Sequence, residues 1–385
     1  MHAEHLNYLN DLFNREMADK KLLGASMLIC KDGRKIFENT YGSDGPDTIY
    51  KIYSMSKPVT AAAFMILYER GLVDIDDEVA KYLPAYGNMK VWQNGRLVEA
   101  KTKLTIRHLL NMTSGLVYPG DETEPERIME RIHTDLHERA ISGEEMSNIS
   151  IINELAGAPL AFEPGSAWHY GISTDVIGGI IEVISGKKFS QFLADEIFTP
   201  LNMSDTAFYV PKEKITRLAK MYAWEDEEGH LRDANEAELE YLNEYAVTKE
   251  PFIESGGGGL YSTLHDYSRF AEMLLGGGEL DGVRILGRKT VDFLSSNQLS
   301  REQLETIYFD SIVGYGYGNC NRVMLDTGRA NSNGSVGEYG WDGLPGCYFL
   351  VDPKEKLTVV YMQQIMQGAD QKLRHKYRQV IYALM

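Results

Sequence analysis

Residues 4–22 (EHLNYLNDLFNREMADKKL) return apolar side chains at helical spacing, so an amphipathic N-terminal helix is expected there. The pattern changes at 24–42 (GASMLICKDGRKIFENTYG), where two β-prone runs flank Lys31-Asp32-Gly33. Asp-Gly is a strong tight-turn signal, and a hairpin is predicted. A helix is expected from about Met55 to Arg70, ended by Gly71; its middle (VTAAAFMILYER) is apolar almost all round, which marks a buried, central helix. Helical patterns dominate from about 75 to 250, as in IRHLLNM at 106–112 and TDVIGGIIEVIS at 174–185. They return after Gly256-Gly257-Gly258-Gly259 in DYSRFAEMLL at 266–275. Beyond residue 312 strands resume: GCYFLVDP (346–353) and LTVVYMQQ (357–364) read as a pair joined by Pro353-Lys354-Glu355-Lys356. A basic amphipathic helix at 369–384 closes the chain.

Strands at both ends with helices between them predict an α+β fold, in which an antiparallel sheet is built from both chain ends, flanked by helices, with a largely helical insertion. The expected organisation is one unit over 1–385, with 1–74 and 255–385 forming the sheet region and 75–254 the mostly helical region. No repeat of 20–50 residues is visible. The acidic run that begins at Glu225-Asp226-Glu227-Glu228 and continues to Glu250 reads as a solvated excursion, with a lid over a substrate mouth as the sharper alternative.

Composition narrows the function. With 43% hydrophobic and 10% aromatic residues in 385, there is ample material for a core. The formal net charge is −17, from 56 acidic against 39 basic residues, with no compensating basic run. Such a surface repels phosphate backbones and anionic membranes, so neither nucleic acid nor membrane is expected as a partner. The N-terminus lacks a basic stretch followed by an apolar one, and no apolar run reaches the roughly 18 residues a membrane span needs; a cytoplasmic location is expected. Cys30, Cys320 and Cys347 are odd in number and widely spaced, and are expected as buried thiols in strands rather than a metal or redox pair.

The first candidate for chemistry is Tyr53-Ser54-Met55-Ser56-Lys57-Pro58. A lysine three residues after a serine shares its helix face, so hydroxyl and amine can meet. Serine is a weak nucleophile until a base takes its proton, and lysine serves once its surroundings disfavour the charged form. A second S-x-x-K, Ser185-Gly186-Lys187-Lys188, falls at a helix end where the dipole has the wrong sign. Tyr170, in Trp168-His169-Tyr170-Gly171-Ile172-Ser173, is a candidate proton shuttle. Gly340-Trp341-Asp342-Gly343-Leu344-Pro345-Gly346 could let substrate lie along a strand edge with a backbone N–H aimed at an oxyanion, or be an ordinary glycine-rich turn.

In that order, Ser-x-x-Lys, a tyrosine motif and an aromatic-x-Gly strand resemble the serine β-lactamase and penicillin-binding-protein superfamily, and within it the class C-like serine hydrolases and family VIII carboxylesterases. IYSMSKPVTAAAFMILYERGLVDIDDEVAKYLP, LTIRHLLNMTSGL, ESGGGGLYSTLHDYSRFAEMLLGGGELDGVRIL and YGWDGLPGCYFLVDPKEKLTVVYMQQ extend the likeness from about residue 10 to the end. The resemblance implies that Ser54 forms an acyl-enzyme, that Lys57 and Tyr170 share the proton transfers, and that the Ser54 and Leu344 N–H groups form the oxyanion hole. It also implies that Trp341, Asp342 and Gly343 border the substrate, with no metal and no cofactor.

Two departures bear on substrate. Ile172 stands where the lactamase tyrosine motif has asparagine, and Trp341 where the third motif often has lysine or histidine. Asp342, if its side chain faces the cleft, should further disfavour anionic ligands. The expected function is therefore a carboxylesterase on small neutral esters with weak or no β-lactamase activity. A true β-lactamase or a D-alanyl carboxypeptidase or D-aminopeptidase remains open, as does a non-catalytic binding or scaffold protein on the same fold. The partner expected is a small ester or amide; oligomeric state is not legible. No G-x-S-x-G occurs, which excludes a standard nucleophile elbow. His133 and His137 lack the Glu of a zinc-protease helix. Gly314-Tyr315-Gly316-Tyr317-Gly318 reads as strand packing, His169 as packed or solvated, and Asp175 as a cap or anchor of the helix after Tyr170.

Overall fold

The structure, a computed structural model, describes residues 2–235, 247–368 and 371–385. Its centre is a seven-stranded antiparallel sheet of β1 (Gly24–Lys31), β2 (Arg34–Gly42), β3 (Tyr315–Gly318), β4 (Asn321–Met324), β5 (Tyr339–Asp342), β6 (Tyr348–Asp352) and β7 (Leu357–Gln363), in the order β3-β4-β5-β6-β7-β1-β2. The two chain ends therefore meet in the middle of the sheet, where Met27, Leu28 and Ile29 pair with Tyr361, Val360 and Val359. The β1–β2 hairpin turns at Asp32 and Gly33, both at positive φ (52° and 70°), the backbone that an Asp-Gly turn supplies.

Both faces of the sheet are covered, and alternation assigns each side chain to a layer. Ala25, Met27 and Ile29 pack with helices α1 (His2–Ala18) and α5 (Gln371–Tyr382), whereas Leu28 and Cys30 point into the larger core of the opposite face. That core holds α2 (Ser56–Glu69), α3 (Ser173–Ser185) and α4 (Leu264–Leu275). Every side chain of α2 from Ser56 to Leu67 is buried, as its all-round apolar sequence requires.

Several expectations shift at their edges. The first helix ends at Ala18 rather than 22, and Lys20 leaves it at φ 54°. The helical middle also carries two hairpins, Lys90–Gln93 with Arg96–Glu99 and Tyr222–Trp224 with Leu231–Asp233. The acidic run starts in the second of these; residues 236–246 lie outside the described residues. Cys30 sits in β1, but Cys320 occupies the β3–β4 turn with Asn319, both at positive φ, and Cys347 precedes β6. All three thiols are buried and unbonded to one another, and burial pushes each up to about 12. No helix among the described residues is long and apolar enough to cross a membrane.

Candidate active site

Ser54 lies in a single 3₁₀ turn, Tyr53–Met55, immediately before α2. The turn is held in place by a strained residue: Tyr53 has φ 43°, a left-handed conformation that a bulky side chain rarely adopts. Met55 N–H bonds to the Ile52 carbonyl, and the buried Tyr267 hydroxyl donates to the Met55 carbonyl at 2.7 Å. One helical turn on, Lys57 is fully buried, and its Nζ stands 3.1 Å from Ser54 Oγ. An amine taken wholly out of water must have partners. Lys57 has two more, Tyr118 Oη at 2.8 Å and the Gly257 carbonyl at 2.6 Å.

Tyr118 was not singled out in the sequence. Its closeness to Lys57 follows from a contact between distant backbones at Gly171, where any Cβ would stand 2.0 Å from the Leu116 carbonyl oxygen. Only glycine lets the chain at 170–171 lie against 116–117, and the buried hydroxyls of Ser114 and Ser173 bond to each other at 2.7 Å beside it. Tyr118 and Tyr170 are thereby set with ring centroids 5.7 Å apart around Lys57. Their roles differ. Tyr170 turns its ring face to Lys57 Nζ, 4.6 Å from the centroid, and its oxygen accepts from Trp341 Nε1 at 3.1 Å. Burial raises the pKa of Tyr170, and hydrogen bonds with Ser54 and Trp341 only partly oppose it. Burial likewise raises Tyr118 against the opposing charge of Lys57. Both are therefore phenols, not phenolates, at neutral pH.

The Gly257 carbonyl is aimed by Asp175, which is 5% exposed. Its Oδ1 accepts from Ser255 Oγ at 2.5 Å and from Gly257 N–H at 3.1 Å. Asp175 thus anchors the glycine-rich segment to α3; the N-cap position of that helix is Ile172. The strand β5 approaches Ser54 from the other side. A Cβ at Gly343 would stand 2.4 Å from the Ile52 carbonyl oxygen, so glycine is what allows this contact. Gly343 N–H is taken by the Cys347 carbonyl, while the Ser54 and Leu344 N–H groups have no backbone acceptor among the described residues.

Asp342 does not face the cleft. Trp341 and Asp342 are neighbours on a strand and point to opposite sides. With Trp341 against Tyr170, Asp342 is turned toward α5, where it pairs with Arg322 and Arg374. Burial alone would raise its pKa, but the two guanidiniums outweigh burial and hold it below the ordinary carboxylate value. It presents no charge to a substrate. Trp341 is 4% exposed and supports Tyr170 from behind, and of the 341–344 segment Leu344 is the residue that lines the cleft.

The cleft above Ser54 encloses about 560 Å³, a size typical of small-molecule sites. Its walls are largely aromatic and aliphatic, including Tyr53, Tyr118, Tyr170, Phe208, Ile253 and Tyr261, with Lys51, Glu130 and His133 as charged or titratable members. His133, set aside in the sequence as a zinc ligand, reaches this wall from the helix Glu124–Ile141. His169 does not line it and packs on Tyr308 and Phe162, burial lowering its pKa. The second S-x-x-K is separate: Ser185 ends α3, Gly186 caps it at φ 66°, and Lys188 bonds Glu250 at the surface. Among the described residues the grouping of potential metal ligands is Asp226, Glu228 and His230 on the exposed 222–233 hairpin.

A family model described as Beta-lactamase matches residues 9–383. The chain belongs to the beta-lactamase family. Within that superfamily it is a serine hydrolase. It is 31% identical to Protein Rv1367c of Mycobacterium tuberculosis (strain ATCC 25618 / H37Rv) over 83% of this chain and 78% of that one. It is 26% identical to Esterase EstB of Burkholderia gladioli over 97% and 94%. Among solved structures, EstCE1, titled a hydrolase with promiscuous acyltransferase activity, superposes with a TM-score of 0.81 at 21% identity, covering 99% of both chains. That likeness establishes the fold of this beta-lactamase family member.

Proposed function

We propose that this protein is a carboxylesterase that opens small neutral esters through an acyl-enzyme on Ser54. The observation that carries the reading is the buried Lys57 amine, at the head of a buried helix, 3.1 Å from the Oγ of Ser54, which lines a mostly apolar cleft. To act as the base Lys57 has to react in its neutral form, in which an amine has two N–H groups and one lone pair. The Gly257 carbonyl can only accept, so it holds one N–H; Tyr118 Oη takes the second, and the lone pair is left for the Ser54 hydroxyl.

The proton transfers then balance. As Oγ attacks the ester carbonyl, the Ser54 proton passes to Lys57, and the tetrahedral oxyanion is met by the Ser54 and Leu344 amides. Tyr170, a phenol at neutral pH, gives its proton to the departing alkoxide, and the Lys57 ammonium over its ring steadies the phenolate. In deacylation the phenolate takes a proton from water as water attacks, and Lys57 returns its proton to Ser54. The net result is ester plus water to acid plus alcohol.

The preference for neutral esters rests on Ile172 and Trp341, which replace an amide and a cation of the lactamase pattern, and on the aromatic walls. That one relative is named an esterase and a structural neighbour is titled a hydrolase points the same way. A second reading, an amide or lactam carrying a carboxylate, is favoured by Lys51, a cation in the cleft wall. Comparing kcat/KM for nitrocefin and p-nitrophenyl butyrate separates the two; a lactam preference above about a hundredfold overturns the esterase reading. Ser54→Ala should abolish both ester turnover and fluorophosphonate labelling of the Ser54 peptide while leaving the circular dichroism unchanged. Retained turnover in a pure sample removes Ser54 from the mechanism, and an unlabelled native Ser54 favours a non-catalytic protein.

A further inference from the structure

On the face of the sheet that carries α1 and α5, a second cavity of about 160 Å³ lies between α5, strands β3, β4 and β6, and the loop around 329–332. Its chemistry is opposite to that of the cleft. Arg322, Arg374 and Arg378 line it, and they are only 3%, 8% and 3% exposed. Two of them clasp one ring: the guanidinium carbons of Arg322 and Arg374 stand 4.7 and 4.6 Å from the Tyr348 centroid. Arg378 Nη1 donates to the Tyr348 hydroxyl at 2.6 Å. Buried guanidiniums of this kind are costly unless each is matched by negative charge.

The match is incomplete. Asp342 bonds Arg322 through one oxygen and Arg374 through the other, so a single carboxylate serves two cations. Glu338 takes Arg378 Nη2 at 2.7 Å and also the hydroxyls of Tyr315 and Tyr382. Arg374 thus has its Nη1 engaged, while its Nε and Nη2 have no acceptor among the described residues and are not sealed from the cavity. At the lining, Asp310 is opposed by Arg329 in addition to the three buried arginines, while His375, whose pKa is lowered by burial and by Arg378 and Arg374, adds no cation. In a chain whose net charge is −17, this concentration of cations is a local construction.

We infer that this cavity binds a small oxyanion, a phosphate or carboxylate group, held by the open edge of the Arg374 guanidinium with Arg322 and Arg378 behind it. A planar fork with two parallel N–H groups is what such anions take up bidentately. Because the lining comes from α5, the sheet and a loop, the bound anion joins three separately placed segments and stabilises the folded chain.

The test is a titration of the intact protein with sodium phosphate at constant ionic strength held by sodium chloride, read by Tm and by calorimetric heat. A saturable rise in Tm with a matching one-site isotherm is expected, with affinity at least tenfold weaker in Arg374→Gln. A flat Tm without heat, or a shift that chloride alone reproduces, overturns the inference. Arg329→Ala removes an exposed rim charge without touching the buried pairs, so it serves if Arg374→Gln does not fold, and it should weaken binding severalfold. Wild-type phosphate affinity in the folded variants places the anion elsewhere and likewise overturns the assignment. Acetate titrated in parallel distinguishes the source: tighter acetate supports a carboxylate ligand, tighter phosphate a phosphoryl one. Ester turnover is no part of the readout, so the result stands apart from the assignment of Ser54.

Discussion

Replacing Tyr118 by phenylalanine removes one oxygen from the site and leaves the ring that lines the cleft. That oxygen is one of three partners of the buried Lys57 amine, at 2.8 Å, beside the Gly257 carbonyl at 2.6 Å and Ser54 Oγ at 3.1 Å. Without it the amine is free to turn, and its lone pair is no longer directed at Ser54 by elimination. Once it has taken the Ser54 proton the amine is an ammonium, and a hydrogen bond from such an ion to the Tyr118 oxygen is worth roughly 1.5–3 kcal/mol in the transition state. At about 1.4 kcal/mol per decade, kcat should fall roughly 10- to 150-fold. KM should change little, because the wall keeps its shape. Tyr170→Phe removes a proton donor instead, and its loss should reach about 10²–10⁴ on methyl butyrate. On p-nitrophenyl butyrate, whose activated leaving group needs no proton, that loss should be smaller, while the Tyr118→Phe loss should be the same on both esters. The assay is initial-rate kinetics on the two esters for both variants. A Tyr118→Phe enzyme within about twofold of wild type in kcat refutes the argument that Tyr118 sets the amine.

Three further outcomes are expected. Gly343→Ala places a methyl 2.4 Å from the Ile52 carbonyl oxygen and must push the end of β5 away from Ser54, so kcat should drop by about 10²–10³, as for a lost oxyanion donor, with a stability loss of about 1–3 kcal/mol in denaturant unfolding; wild-type kcat would remove Leu344 N–H from the mechanism. Asp342→Asn leaves Arg322 and Arg374 buried with no carboxylate between them and should cost about 3–5 kcal/mol in denaturant unfolding at neutral pH. Since the native pKa of Asp342 is lowered, its contribution is present above the unfolded value near 4 and fades as pH falls through the native one, so variant and wild type should converge in acid. The three thiols, each pushed up to about 12 by burial, should resist Ellman's reagent at pH 8 in the native protein and all react in guanidinium chloride.

The sequence by itself determined whatever depends on short-range period. The β-prone runs at 24–31 and 357–363 assigned both strands, Asp32-Gly33 dictated the hairpin, and the apolar run from Val59 to Leu67 made α2 an internal helix. Spacing by one helical turn was enough to bring Lys57 to Ser54. What remained depended on which segments lie side by side, and no local period encodes that. Tyr118 meets Lys57 because Gly171 admits the 116–117 backbone, a contact across more than fifty residues. Asp342 turns from the cleft because Trp341 packs on Tyr170, and a strand cannot point both side chains the same way. The arginine cavity exists because strands from one part of the chain and the C-terminal helix from another converge on Tyr348, so their charges become neighbours only in the folded protein.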